Sequence, residues 1–268
     1  MNDYYLKNSD HPLKDAFRFE EDWSTSIGQI RIKLPEEMRI CLINTIAKHA
    51  YQSKPITKPD GEDSTYSSKH HYNMFIDDDK HIQQYREIIT ELIRYYVANS
   101  WGVSDVADIK IKAKCFGNIQ SWGERTYPHY HHGYDGVLIN YLTVGDEFTV
   151  DLSEENLFGE KTWEVSKIPA GELVTDGSME SQTPKSLWTH SKEFEEQGNL
   201  IICDPRPAIS FPYNRKARHI KPEVGLTLLH PGYLWHESNT FTGAGIRVVS
   251  VINFNIGTSK SADPLVEL

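Results

Sequence analysis

The chain has 268 residues, 38% hydrophobic and 25% charged, a composition that suits one large globular domain with a sizeable core. Its formal net charge of -10 argues against a general nucleic-acid partner, because phosphate binding needs a basic face. Cys41, Cys115 and Cys203 are too scattered for a disulfide framework or a thiolate zinc site and read as small buried hydrophobes. No stretch approaches the roughly 18 apolar residues of a membrane span, and the polar start Met1–Lys7 leads into no apolar signal region. The expectation is a cytoplasmic protein with neither a membrane nor a nucleic-acid partner.

In chain order, the first predicted element is a helix opening at Pro35, with Glu36 and Glu37 at the positive end of its dipole. Met38, Cys41, Leu42, Ile46 and His49 fall on one of its faces. Lys54–Ser68, rich in Pro, Gly, Asp and Ser, reads as a loop. A second helix begins after Asp77-Asp78-Asp79, carries Ile82, Tyr85, Ile89, Leu92 and Tyr96 on one stripe, and stops before Gly102. From Ile109 the period drops to two. Ile109, Ile111, Ala113 and Cys115 alternate with Lys110, Lys112 and Lys114, the pattern of a strand with one wet face. Further strands are predicted over Val137–Val144, Leu200–Cys203, Leu226–His230 and Ile246–Ile256. Short strands between Gly/Pro turns imply a sandwich or barrel.

The chain thus divides into an N-terminal helical region (1–107) packing on a β core (108–258), followed by a C-terminal tail (259–268). An acidic insertion at 146–198, carrying Trp163 and Trp188, interrupts the core and is the natural lid.

The chemistry concentrates in Tyr127-Pro-His-Tyr-His-His132. Residues i and i+2 of an extended segment point the same way, so His129 and His131 can share one metal. His236 follows a predicted buried strand and a turn, well placed to aim a third imidazole inward. Non-haem iron(II) sites need three protein ligands on one face of an octahedron, usually two His and one carboxylate, with the other face open for a bidentate keto-acid and O2, and here His131 would stand in place of the usual carboxylate. Arg247 opens the last strand, where a buried guanidinium can clamp the far carboxylate of 2-oxoglutarate. A structural acid paired with Arg247, or a place for it on the wet face of the strand, is the competing explanation. His132, His70, His71 and His190 lack partner spacing and read as surface or outer residues, and Asp204-Pro205-Arg206 reads as a turn.

At these residues the chain resembles the 2-oxoglutarate/Fe(II) oxygenase superfamily, in particular members with a Pro-His-x-His element. The likeness runs from Lys112 to Asn255 without the insertion. It includes Asn118, Pro128-His129-Tyr130-His131, Gly136-Val137, Asp204-Pro205-Arg206, His230-Pro231-Gly232-Tyr233-Leu234-Trp235-His236 and Arg247–Asn253. It implies a mainly β, α+β fold with a double-stranded β-helix (jelly-roll) core. It also implies iron(II) on His129, His131 and His236, and 2-oxoglutarate on Arg247 and Asn118, with no catalytic residue beyond the iron ligands. The implied reaction is hydroxylation, desaturation or cyclisation of a small molecule such as an amino acid or natural-product intermediate.

Two departures stand out. Val249 replaces a Ser of the group, and the stretch from His131 to Gly136 is short. The ligand register therefore stays open, with His131 able to pair with His132 or Asp135 instead, or to leave an open position at Gly133 as in halogenating relatives. A cupin-like metalloenzyme without 2-oxoglutarate and a non-catalytic barrel are the other readings. The number of subunits is left open, a homodimer among the options.

Overall fold

The computed structural model describes residues 11–13, 15–22, 25–51, 56–57, 63–67, 72–121, 123–145, 198–205, 217–241, 245–257 and 264–268. Residues 146–197 of the insertion expected to act as a lid, together with Arg206, His70, His71 and His190, lie outside the described residues. Among the described residues no helix is long and apolar enough to cross a membrane.

Both predicted helices form. Helix α1 (Glu36–Tyr51) has its acids in the first turn and Lys48 and His49 in the last, each matched to the local end of the dipole. Its buried face is Met38, Leu42, Ile43, Ile46, Ala47 and Ala50; Cys41 and His49 sit half-buried at the margin. Helix α2 (Lys80–Trp101) begins at Asp79, whose carboxylate accepts from the His81 and Ile82 amides, and ends at Gly102 in the left-handed conformation. All five residues of its predicted stripe are buried.

Eight strands form the body of the fold. The large sheet contains β2 (Thr25–Arg31), β9 (Leu226–Pro231), β6 (Gly136–Val144), β11 (Arg247–Ile256) and β5 (Ile111–Gln120), neighbours in that order and all antiparallel. The small sheet orders β10 (His236–Ser238), β7 (Leu200–Cys203) and β8 (Ala217–Ile220). A bridge between His129 and His236 adds the Pro128–His131 segment to its edge. The chain therefore alternates between sheets from β5 onward: large, small, large, small twice, large, small, large. That is the winding of a jelly roll, and the fold is mainly β as expected.

Alternation sorts the side chains into two cores. Ile111, Ala113, Cys115 and Ile119 of β5, with Leu138, Leu142, Val248, Ile252 and Phe254, face the helices. Phe116, Val137, Ile139, Tyr141 and Val251 face the small sheet, meeting Leu200, Ile202 and Leu234. Strands β6 and β11 are covered on both faces, which is why they read as apolar runs. Each large side chain buried there contributes roughly 1.5–3 kcal/mol of transfer free energy.

Other segments depart from expectation. Lys54–Ser68 is not wholly a loop, since it holds β3 (Ile56–Thr57) and β4 (Asp63–Ser67), and β4 pairs with β5 at Tyr66↔Ile119 and Ser67↔Asn118. The N-terminal region carries strands besides helices: β1 (Arg18–Asp22) pairs with β2, which joins the large sheet. At the other end β12 (Val266–Glu267) pairs with β5. The predicted wet face of β5 also turns dry partway, because Lys114 lies on the side that faces the small sheet and is 5% exposed.

Candidate metal centre

His129 and His236 are locked to each other through the main chain. The His129 amide donates to the His236 carbonyl (3.0 Å) and the His236 amide to the His129 carbonyl (2.9 Å). The next inward residue, His131, donates its amide to the Gly232 carbonyl at 2.9 Å. Glycine is required at 232, since a Cβ there would strike the Tyr134 carbonyl and press on the His131 carbonyl. Pro128 before the pair restricts the segment to extended backbone. The alternation that puts His129 and His131 inward puts Tyr130 and His132 outward: both are exposed, with their rings edge to face.

The ligating atoms of His129, His131 and His236 all lie within 4.8 Å of one another. His129 Nδ1–H donates to the Tyr127 carbonyl (2.8 Å), and His236 Nδ1–H to the Leu234 carbonyl (3.0 Å). A carbonyl can only accept, so the proton sits on Nδ1 and the Nε2 lone pair is left for a cation. His131 Nε2 and His236 Nε2 are 3.3 Å apart. Metal–imidazole bonds of about 2.1 Å at right angles put neighbouring nitrogens about 3 Å apart, close to this spacing. Burial first, and then the neighbouring histidines His230, His129 and His131, hold the His236 pKa well below the ordinary histidine range, so its imidazole stays neutral. A neutral, oriented and buried imidazole such as that of His236 is the kind of donor a divalent transition metal takes. Asp135, an alternative ligand on sequence grounds, spends its carboxylate on the Ile256 amide at 2.9 Å.

One strand repeat along β10 from His236, Ser238 marks a second polar group. Its hydroxyl accepts from the Gln120 side-chain amide (3.2 Å) and the Thr126 amide (2.8 Å), and Gln120 also donates to Thr126 Oγ1 (2.9 Å). The other end of Gln120 accepts from Arg247, from Nε at 2.8 Å and also from Nη2. Arg247 Nη1 donates to the Gly198 carbonyl, and the guanidinium lies 5.4 Å from the Phe241 ring centroid. Arg247 is 3% exposed, and every hydrogen-bond acceptor it has among the described residues is neutral. The structural acid that would have explained it is not found among those residues.

Asn118 stands on the same face of β5 as Gln120, opposite Val249 in register, and its Oδ1 has no partner among the described residues. Tyr141 flanks Val249 from β6 and is 3% exposed; burial raises its pKa, and the Arg247 charge opposes that rise. Sequence reasoning missed Tyr141 and Gln120. Tyr141 was hidden inside an apolar run, and Gln120 closed a strand without any spacing signal.

A fourth imidazole entered the sequence reading only as part of the likeness, with no role assigned. His230 on β9 is 0% exposed and sits edge-on to His236 with ring centroids 4.8 Å apart. Burial lowers its pKa to about 4.

No family model matches the chain, and no curated protein does. Solved structures similar to it include a prolyl-4-hydroxylase from Pseudomonas putida, at 10% identity and a TM-score of 0.49 over 87% of this chain and 93% of that one. An oxidoreductase of the 2OG-Fe(II) oxygenase family from Burkholderia pseudomallei is 13% identical, TM-score 0.43, over 82% of each chain. A prolyl hydroxylase from Trichoplax adhaerens is 11% identical, TM-score 0.45, covering 85% of this chain and 82% of that one. Identities this low leave the chemistry to be argued from the chain's own residues.

Proposed function

We propose that the chain is a non-haem Fe(II)/2-oxoglutarate-dependent oxygenase that hydroxylates a small molecule. The observation that carries this reading is a cluster of three imidazoles together with a buried arginine whose acceptors among the described residues are all neutral. His236 and Ser238 point the same way from β10, about 7 Å apart along the strand, and Ser238 anchors the Gln120 that holds Arg247. 2-Oxoglutarate would set its keto-acid end at the imidazoles and its distal carboxylate on the guanidinium. An isolated buried charge is expensive, so a carboxylate partner for Arg247 is favoured on energetic grounds alone.

His129, His131 and His236 would hold the iron through Nε2, each position set by main-chain contacts before any metal arrives. Iron bound there supplies the activation of O2 that couples decarboxylation of 2-oxoglutarate to succinate and CO2 with insertion of one oxygen atom into a substrate C–H bond. Arg247 orients the cosubstrate, with Asn118 and Tyr141 beside it on the same inward face. The apolar band of Phe116, Ile139 and Val251 keeps bulk water out of the space between the sheets.

Anaerobic addition of Fe(II) and 2-oxoglutarate should produce the weak visible charge-transfer band of a keto-acid chelate, and O2 should then yield succinate. His236→Ala should abolish the band. A band that is absent from the native protein, or that survives this substitution, refutes the proposal.

A further inference from the structure

His230 has no task in the scheme above, although its block Leu226-Thr-Leu-Leu-His-Pro231 leads directly to His236. It projects inward from β9, opposite Val137 of β6. The Pro231 carbonyl 2.9 Å from its Nδ1 can only accept, which places the ring proton on Nδ1 and leaves Nε2 as a lone-pair acceptor. No described residue offers that nitrogen a hydrogen, and the residue is 0% exposed. Buried acceptors without donors are rare in folded proteins, and each calls for a partner.

The ring is nonetheless outside the group of three whose ligating atoms converge. It nevertheless lies edge-on against that of His236. In the same inward row, Asn253 of β11 pairs with Val137 from the other side. Its side-chain Oδ1 and Nδ2 both lack partners among the described residues, at 0% exposure. Two unsatisfied polar groups in one row beside a metal cluster describe a place for ordered water.

We propose that His230 Nε2 accepts a hydrogen bond from a water molecule bound to the metal, which makes His230 a positioning residue of the centre. The inference rests on reading His129, His131 and His236 as metal ligands. An acceptor held at that point favours a proton-bearing ligand on the ion and disfavours a second acceptor, such as a carboxylate oxygen. His230 thereby sets which open position keeps water and which receives the keto-acid.

The test uses Co(II) as the probe, titrated into the full chain without keto-acid and followed by its visible ligand-field bands. His230→Phe should weaken Co(II) binding about 10- to 100-fold, the range seen when outer partners of a metal site are removed, and should shift the bands. His230→Gln, which can present an acceptor, should restore affinity to within a few-fold. Equal impairment by Phe and Gln, or Co(II) affinity within about twofold and unchanged bands in His230→Phe, overturns the proposal. Binding in the native protein that is lost in His236→Ala but untouched in His230→Phe sinks only the role of His230. No binding in the native protein, or none lost in His236→Ala, sinks the metal reading as well. Should the Phe variant fail to fold, native protein with 15N-labelled imidazoles decides the matter. On adding Zn(II), the His230 Nε2 resonance should move toward a hydrogen-bonded acceptor with its tautomer unchanged; a resonance that does not move overturns the proposal.

Discussion

Replacing Arg247 by Ala should separate cosubstrate binding from metal binding. An arginine has five N–H donors. Among the described residues one goes from Nε and one from Nη2 to Gln120, and one from Nη1 to the Gly198 carbonyl. That leaves two, one on each terminal nitrogen, which is the number a carboxylate takes in a bidentate pair. Two charge-assisted hydrogen bonds in a buried site amount to about 3–5 kcal/mol. The dissociation constant for 2-oxoglutarate should therefore rise roughly 150- to 5,000-fold. The assay is an anaerobic titration of the Fe(II)-loaded protein with 2-oxoglutarate, and in parallel with 2-oxobutyrate, which lacks the distal carboxylate. The variant should bind 2-oxobutyrate about as well as the native protein does, and its Co(II) affinity should be unchanged. If 2-oxoglutarate binding falls by less than about threefold, or if both keto-acids suffer equally, Arg247 does not hold the distal carboxylate.

Three further outcomes follow from the same contacts. The metal-free protein should lose stability as pH falls. The unfolded His230 takes up a proton near 6.5 while the folded one resists until about 4, so native protein is disfavoured progressively across that window by about 3 kcal/mol. Burial shifts His236 in the same direction. Chemical denaturation followed by circular dichroism between pH 7 and 4 checks this, and a flat profile would contradict it. Gly232→Ala should drive a methyl group into the Tyr134 carbonyl, displace His131, and weaken Co(II) binding by at least about tenfold, with helical circular dichroism intact. Asp79→Ala should remove the cap of α2, costing about 1 kcal/mol and lowering the melting temperature by about 2–4 °C. No shift in a thermal melt would mean that the cap is redundant.

The helices and the central strands were legible because their signals are local or are set by burial. Pro35, Asp79 and Gly102 mark helix ends in the sequence itself, and β6 and β11 are apolar because both faces are covered. The edge strands were not legible. β8 (Ala-Arg-His-Ile) and β10 (His-Glu-Ser) are short and polar, and β4 lies in a segment that reads as a loop. What makes them strands is the partner they meet, which lies elsewhere in the chain. The site divides in the same way. His129, His131, His236 and Arg247 announce themselves by residue type and spacing, and the structure sets each of them facing inward. Gln120, Tyr141 and His230 become visible only once the register of β5, β6 and β9 shows which face each residue takes.

The pairing of His129 with His236 has a consequence for how the chain reaches its native state. A strand's side chains change sides with every residue, so a slip of one position in β10 would turn Trp235 or Glu237 inward and send His236 out to solvent. The small sheet has few apolar contacts with which to reject that error, since β10 spans three residues. A cation shared by His129, His131 and His236 would bind only the correct parity. The ion would thus serve as a proofreader of strand alignment between two distant segments, and metal supplied during refolding should raise the yield of correctly paired protein.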